Sequence, residues 1–178
     1  MGYVEQLYSV PDGAKAEIVD GTIVVLEPTG DAPGYAAGEI FASLREYVRR
    51  TRRGRAVGDN VGFLVNLAHR QSFSPDAAYY VGPRAGMKFF QGAPQFAAEI
   101  RSASDYALGA ENTMAAKRAD YFAAGTLVVW DVDLLADDVV RVYRAPDATT
   151  PIVYRRGQVA EAEPAVPGWS LPVDDLFA

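Results

Sequence analysis

Residues 95–102, QFAAEIRS, alternate with the two-residue period of a β-strand and so present two unlike faces. Phe96, Ala98 and Ile100 fall on one side, an apolar set suited to a core. Ala97, Glu99 and Arg101 fall on the other, which faces a cleft or water. A helix-period segment follows, ENTMAAKRADYFAAG (111–125), closed by Gly125. TLVVWDVD (126–133) and DVVRVYR (138–144) then return the chain to strands. A chain with this order needs a sheet with helices laid against it.

The remaining segments fit that frame. AEIVDGTIVVLEP (16–28) reads as a hairpin turning at Asp20-Gly21, a favoured two-residue turn. TGDAPG (29–34) reads as a loop. From Tyr35 to Arg50, Ile40, Phe41, Leu44, Tyr47 and Val48 recur at helical spacing, with Gly54 as a possible end. AVGDNVGFLVNL (56–67) and SFSPDAAYYV (72–81) are strand-like, and Pro75 marks an edge or a strand start. GPRAGMKFFQGAP is a loop, PIVYRRGQVAEA a short hairpin, and LPVDDLF a closing helical turn. The expected fold is α/β or α+β: one domain over residues 1–178, with a mixed central sheet of about six to eight strands flanked by helices.

Composition narrows the function classes. There are no cysteines, which excludes disulfides and thiolate metal sites and suits a reducing cytoplasm. The N-terminal MGYVEQLYSVPDG lacks the features of a signal peptide, and no apolar run is long enough to span a membrane. The net charge of −6 argues against nucleic acid, but its distribution does not. Residues 45–55, REYVRRTRRGR, hold six arginines and one glutamate, a local +5 that leaves −11 for the rest. Such a strip, with Arg49, Arg50, Arg52, Arg53 and Arg55 at its heart, can track a phosphate backbone. It can equally be a solvated helix end whose cations meet the C-terminal dipole.

Asp76 and Glu99 stand in apolar runs on consecutive strands. If those strands are neighbours, both carboxylates meet at one spot, where they repel unless a cation or a shared proton intervenes. With one histidine and no cysteine, the ligands on offer are oxygens, which select Mg²⁺, Mn²⁺ or Ca²⁺. Mg²⁺ takes one or two carboxylates and typically serves phosphate chemistry. The competing reading pairs Glu99 with Arg101 on a solvated face and makes Asp76 a strand-start residue. His69, in a turn, can reach a phosphate or simply stand in water. Ser102, Ser104 and Asp105 read as turn chemistry, and Tyr121 and Trp130 as core aromatics. Lys117, one of three lysines, borders the apolar stripe of its helix through Met114 and Tyr121; Arg118 borders it from the other side, so helix geometry does not choose between them.

The order Ser74-Pro75-Asp76, Glu99-x-Arg101-Ser102-x-Ser104-Asp105, Lys117, Tyr121, Gly125, Trp130, Asp131 resembles the Uma-two family, restriction-endonuclease-like proteins of the PD-(D/E)XK nuclease superfamily. The resemblance extends to AEIVDGTIV near the start and PGWSLPVDDLF at the end. It implies a Mg²⁺- or Mn²⁺-dependent DNA endonuclease. Asp76 and Glu99 would hold the metal, and Glu17 matches a glutamate that helps bind it. The superfamily's lysine slot, two residues after the acid, holds Arg101; a lysine relocated to the following helix would be Lys117. If Lys117 does not reach the site, Arg101 serves as an electrostatic clamp, since arginine stays protonated. Ala103 stands where many relatives have proline, and Pro33-Gly34-Tyr35 where many have a histidine. The partners implied are DNA and a second copy of the chain, a homodimer placing one site on each strand. Two other readings remain: a nucleic-acid-binding or interaction module that kept the fold and lost hydrolysis, and a hydrolase of small phosphoesters.

Overall fold

The structure is a computed structural model that describes residues 2–178, with Asp12 described by its backbone alone. Its centre is a six-stranded sheet in the order β11-β10-β9-β8-β6-β3. The strands are β3 (Arg55–Val57), β6 (Ala77–Tyr80), β8 (Phe96–Ile100), β9 (Val128–Val132), β10 (Val140–Arg144) and β11 (Asp147–Tyr154). Only β8 and β9 run parallel, joined by α3 (Ala110–Ala123); the other neighbours are antiparallel. A parallel pair requires a crossover, and a helix is the usual one.

The alternation in QFAAEIRS sorts the two faces as expected. Phe96, Ala98 and Ile100 join Trp130 and Val132 in the larger core beneath α2 (Asp31–Thr51), which contributes Ile40, Leu44 and Tyr47. Ala97 and Val129 face the other way, into a smaller core with Phe63, Phe73 and Tyr121 of α3. Fully burying such side chains is worth roughly 1.5–3 kcal/mol each, so both faces hold their helices firmly. The hairpin is β1 (Ala16–Val19) with β2 (Thr22–Val25), turning at Asp20 (φ 49°) and Gly21 (φ 69°). A short α1 (Tyr3–Tyr8) packs beside it, its Leu7 clustered with Ala16 and Ile18.

Several boundaries differ from the sequence reading. The loop expected at 29–34 is partly helix, because α2 begins at Asp31. Pro33 fits there, since first-turn amides lack intrahelical partners. α2 ends before Gly54, at Arg52, which takes the left-handed conformation (φ 59°). Gly54 (φ 62°) lies in the turn beyond, where a Cβ would come within 2.4 Å of the Tyr79 ring. The strand expected over 56–67 is two, β3 and β4 (Phe63–Leu64), and that over 72–81 is also two, β5 (Ser72–Phe73) and β6. Pro75 has no amide hydrogen to give a ladder, so pairing stops there and restarts at Ala77. Strands β5 and β4 form a small separate sheet with β7 (Phe90–Gln91), which lies inside the expected 82–94 loop. The hairpin expected at 151–162 is a correction as well. Gln158 N–H does donate to Arg155 O (3.1 Å), making the turn. However, β11 pairs with β10, and β12 (Val159–Glu161) pairs with β13 (Ser170–Pro172). The turn is local, but the partners are chosen by longer-range pairing. The closing helical turn is a 3₁₀ turn, Val173–Leu176.

Candidate functional site

Strands β6 and β8 are antiparallel with Ala77 opposite Ala98, which sets Asp76 across from Glu99. Asp76 is pinned there: its N–H donates to Ala98 O (3.1 Å), and its Oδ2 accepts from Ile100 N–H (2.7 Å). Glu99 lies on the α3 face, opposite Asp131 of β9. One turn of α3 delivers Lys117 and Tyr121 to it. Lys117 Nζ lies 2.9 Å from Glu99 Oε1 and 2.8 Å from Glu17 Oε1. The Tyr121 hydroxyl donates to Glu99 Oε1 (2.6 Å), while its ring stacks on Phe73 at 4.0 Å. Tyr121 is the core aromatic expected from the sequence, with its polar tip turned to the site.

Glu17 arrives from β1 and is buried. Its Oε1 accepts from Ser74 N–H (2.8 Å) and its Oε2 from Arg70 Nη1 (2.8 Å). Arg70 Nε in turn donates to Asp120 Oδ2 (2.7 Å), and His69 contacts the other oxygen of Asp120. A line of contacting polar groups thus runs from exposed His69 through Asp120, Arg70 and Glu17 to Lys117. Lys15 closes the other side, its Nζ 2.6 Å from Asp76 Oδ1 and 2.7 Å from Asp59 Oδ1. The sequence reading passed over Lys15, Arg70 and Asp120. Lys15 carried a signal: it stands two residues before Glu17, the spacing that shares a strand face.

These contacts set the protonation states. Burial works against ionised Glu17, but Lys117, Arg70 and the Ser74 amide outweigh it and hold its pKa below the usual glutamate value. Glu99 goes the other way: burial and the nearby Asp76 and Glu17 push its pKa up despite Lys117. Burial opposes the charge of Lys117 too, yet Glu17 and Glu99 keep it firmly protonated. The raised Glu99 value has a sign for stability. The folded chain holds that proton more tightly, so its stabilising effect is full below the ordinary value of 4.5 and is lost as pH rises through the folded value. Glu99→Gln is therefore expected to melt above the wild type at pH 7 without metal. The gap should close in melting curves taken below pH 4.5. A variant that melts lower at pH 7 would contradict the cost of holding an ionised Glu99 buried beside Asp76 and Glu17.

The structure brings Glu17, Asp76, Glu99 and Lys117 together and leaves the other expected residues elsewhere. Arg101 does not pair with Glu99. Its Nε and Nη2 grip Asp131 (2.9 and 2.7 Å), and its Nη1 meets Glu111 at 3.0 Å. Arg118 also turns to Asp131 (3.3 Å) and lies over the Tyr143 ring. Ser102 and Asp105 cap their own turn, and Trp130 is fully buried. Arg49, Arg50, Arg52 and Arg53 are exposed at the end of α2. Arg55 pairs with Tyr80, the far end of β6 from Asp76. Four strand residues separate the two levels, about 13 Å at 3.3 Å per residue.

Among the described residues, no three His, Asp or Glu side chains form a ready metal cage. Mg²⁺ needs only one or two carboxylates, its other ligands being water. Asp76 and Glu99 fit that demand. They are hard oxygen donors facing each other across neighbouring strands, and the contacts found for Glu99 among the described residues fall on Oε1. Glu17 has both oxygens engaged and acts here as the anchor of Lys117.

No helix among the described residues is long and apolar enough to cross a membrane. No curated protein matches the chain. A solved structure from Anabaena variabilis ATCC 29413, described as "a putative nuclease belonging to DUF820", superposes with a TM-score of 0.76. It covers 98% of this chain and 96% of that one at 17% identity, a likeness of fold. The Uma2 family, described as "Putative restriction endonuclease", matches residues 3–174, nearly the whole chain, and this protein belongs to that family.

Proposed function

We propose that this chain is a divalent-metal-dependent DNA endonuclease working through Asp76, Glu99 and Lys117. Membership of the Uma2 family makes a nuclease-like function and a nucleic-acid substrate the starting point. The observation that supports the finer reading is the position of Lys117, whose ammonium bridges Glu17 and Glu99 beside Asp76. This supports reading Lys117 as the relocated lysine, since the slot two residues after Glu99 holds Arg101, which is bound to Asp131.

Mg²⁺ or Mn²⁺ on Asp76 and Glu99 would supply positive charge against the scissile phosphate and favour deprotonation of the attacking water. Lys117 is too firmly protonated to be a base, so its role is donor and charge. Two of its three N–H groups face Glu17 and Glu99; the third would donate to a phosphate oxygen or the attacking water. Tyr121 fixes Glu99 by its Oε1. Water attacks phosphorus and gives up a proton to bulk solvent, the P–O bond to the leaving group breaks, and the departing oxygen takes a proton back from solvent. Arg49, Arg50, Arg52, Arg53 and Arg55, at the other end of β6, would contact phosphates away from the scissile one without reading sequence. A symmetric pair of chains would address both DNA strands.

The test is cleavage of supercoiled and linear DNA with Mg²⁺ or Mn²⁺, comparing wild type with Glu99→Ala. Cleavage that requires the metal and falls at least about 10²-fold in the variant is expected. Equal cleavage by both proteins, or none by either, would overturn the assignment. One observation favours a second reading, a binding module without hydrolysis: Lys15 already neutralises Asp76. That module would retain DNA with a steep salt dependence and leave it uncut.

A further inference from the structure

We propose that Lys15 is the resident cation of this site, and that a divalent metal reaches Asp76 by displacing the ammonium onto Asp59. The inference rests on the metal-site reading above and adds the residue that controls it. Asp76 has two oxygens with different fates. Oδ2 accepts from Ile100 N–H at 2.7 Å and is committed to the end of β8. Oδ1 is the oxygen left for a cation, and Lys15 Nζ sits on it at 2.6 Å. An ammonium and a divalent metal on one oxygen repel strongly in a half-buried site, so they compete.

The second anchor makes the exchange local. Val57 of β3 pairs with Ala78 of β6, which brings Asp59, two residues on, beside Asp76. Asp59 Oδ1 holds the same Nζ at 2.7 Å. The side chain of Asp59 is 48% exposed, against 19% for Asp76 and 14% for Lys15. Lys15 can therefore release Asp76 and keep Asp59, carrying its charge outward toward solvent. Lys117 has no such alternative, since both carboxylates it holds belong to the inner site. The two lysines thus differ in kind: Lys117 is fixed and Lys15 is exchangeable.

The two partners of the exchange predict opposite signs. Removing the Lys15 charge takes away the competitor and should tighten metal binding. Removing the Asp59 charge leaves Lys15 with Asp76 alone and should weaken it. Changes in the groups surrounding a metal site commonly shift affinity by about 10–100-fold, and the lower end is expected here. The experiment is calorimetric titration of the full chain with Mn²⁺, with no DNA present, for wild type, Lys15→Met, Lys15→Gln, Asp59→Asn and Asp76→Asn. Expected are binding about tenfold tighter in both Lys15 variants, weaker binding in Asp59→Asn, and loss in Asp76→Asn. If wild type binds Mn²⁺ through Asp76 but the Lys15 variants bind no tighter, the role of Lys15 is overturned and the metal site stands. If neither wild type nor the Lys15 variants bind Mn²⁺, or if binding survives Asp76→Asn, both fall. Two substitutions at position 15 guard against one that merely misfolds, and a melting curve of each variant checks this.

Discussion

Lys117→Met will lower metal-dependent DNA cleavage by about 10²–10⁴-fold, the range lost with a positioned donor or proton-transfer group. Among the described residues, the ammonium is the one positive group that touches Glu99 and Glu17 together, and its cationic neighbours are held elsewhere. Arg70 is spent on Glu17 and Asp120, and Lys15 lies on Asp76 and Asp59. Methionine keeps an unbranched apolar side chain of similar length, so the loss reports charge rather than packing. The fold should survive, because Glu17 retains Arg70 and the Ser74 amide, and Glu99 retains Tyr121. Lys117→Arg should not rescue, since a planar fork does not fit the place of a compact ammonium between two carboxylates. Arg101→Lys is the contrasting variant. Arg101 is held by Asp131 and Glu111, so cleavage per folded molecule should stay within a few-fold of wild type. Initial rates at saturating Mg²⁺ decide it, and the opposite ranking would move the lysine role to Arg101. Burial opposes the Lys117 charge, but Glu17 and Glu99 keep the ammonium protonated across the neutral range. Its raised pKa means the stabilisation is full below the ordinary lysine value of 10.5 and is lost only as pH climbs through the folded value.

Where side-chain period decides the outcome, the sequence was informative. Strand β8, helix α3 and the Asp20-Gly21 hairpin follow from periods of 2 and 3.6 and from a two-residue turn, all properties of short windows. The same alternation set Glu99 and Arg101 on one face, and they do share it. What alternation cannot supply is the neighbour across the sheet. β8 ends at Ile100, and Arg101 just beyond it leans toward β9 and Asp131 instead of along its own strand to Glu99. The arginine strip poses a similar problem. Its helix end was visible, but its distance from Asp76 depends on the register of β3 against β6. The small sheet of β4, β5 and β7 was hidden because two-residue strands have no period to detect. Lys15 and Arg70 were hidden for a different reason. Each gains meaning only from a carboxylate far along the chain, Asp76 for one and Asp120 for the other.

Asp131→Ala will cost about 3–5 kcal/mol of stability, the penalty for leaving buried charges without their partner. For a chain of this length that lowers the melting temperature by about 6–20 °C. Asp131 is 4% exposed and receives both Arg101, through two hydrogen bonds, and Arg118. Without it two guanidiniums stay buried, with only exposed Glu111 and more distant Asp133 nearby. Asp131→Asn should lose less, because it keeps the shape and one acceptor. The double variant Arg101→Leu with Asp131→Leu should recover part of the loss, since an apolar pair of similar volume can replace a buried ion pair. Thermal and urea unfolding measure all three, and a loss below about 1 kcal/mol for Asp131→Ala would show that water already solvates these arginines. The result also bears on the site. Asp131 stands opposite Glu99 in the parallel pair, so its grip on Arg101 ties the ends of β8 and β9 together just where Glu99 is presented. If the destabilised Asp131 variants keep cleavage per folded molecule while Lys117→Met loses it, then the arginine in the lysine slot supports the strand ends, and the chemistry belongs to α3.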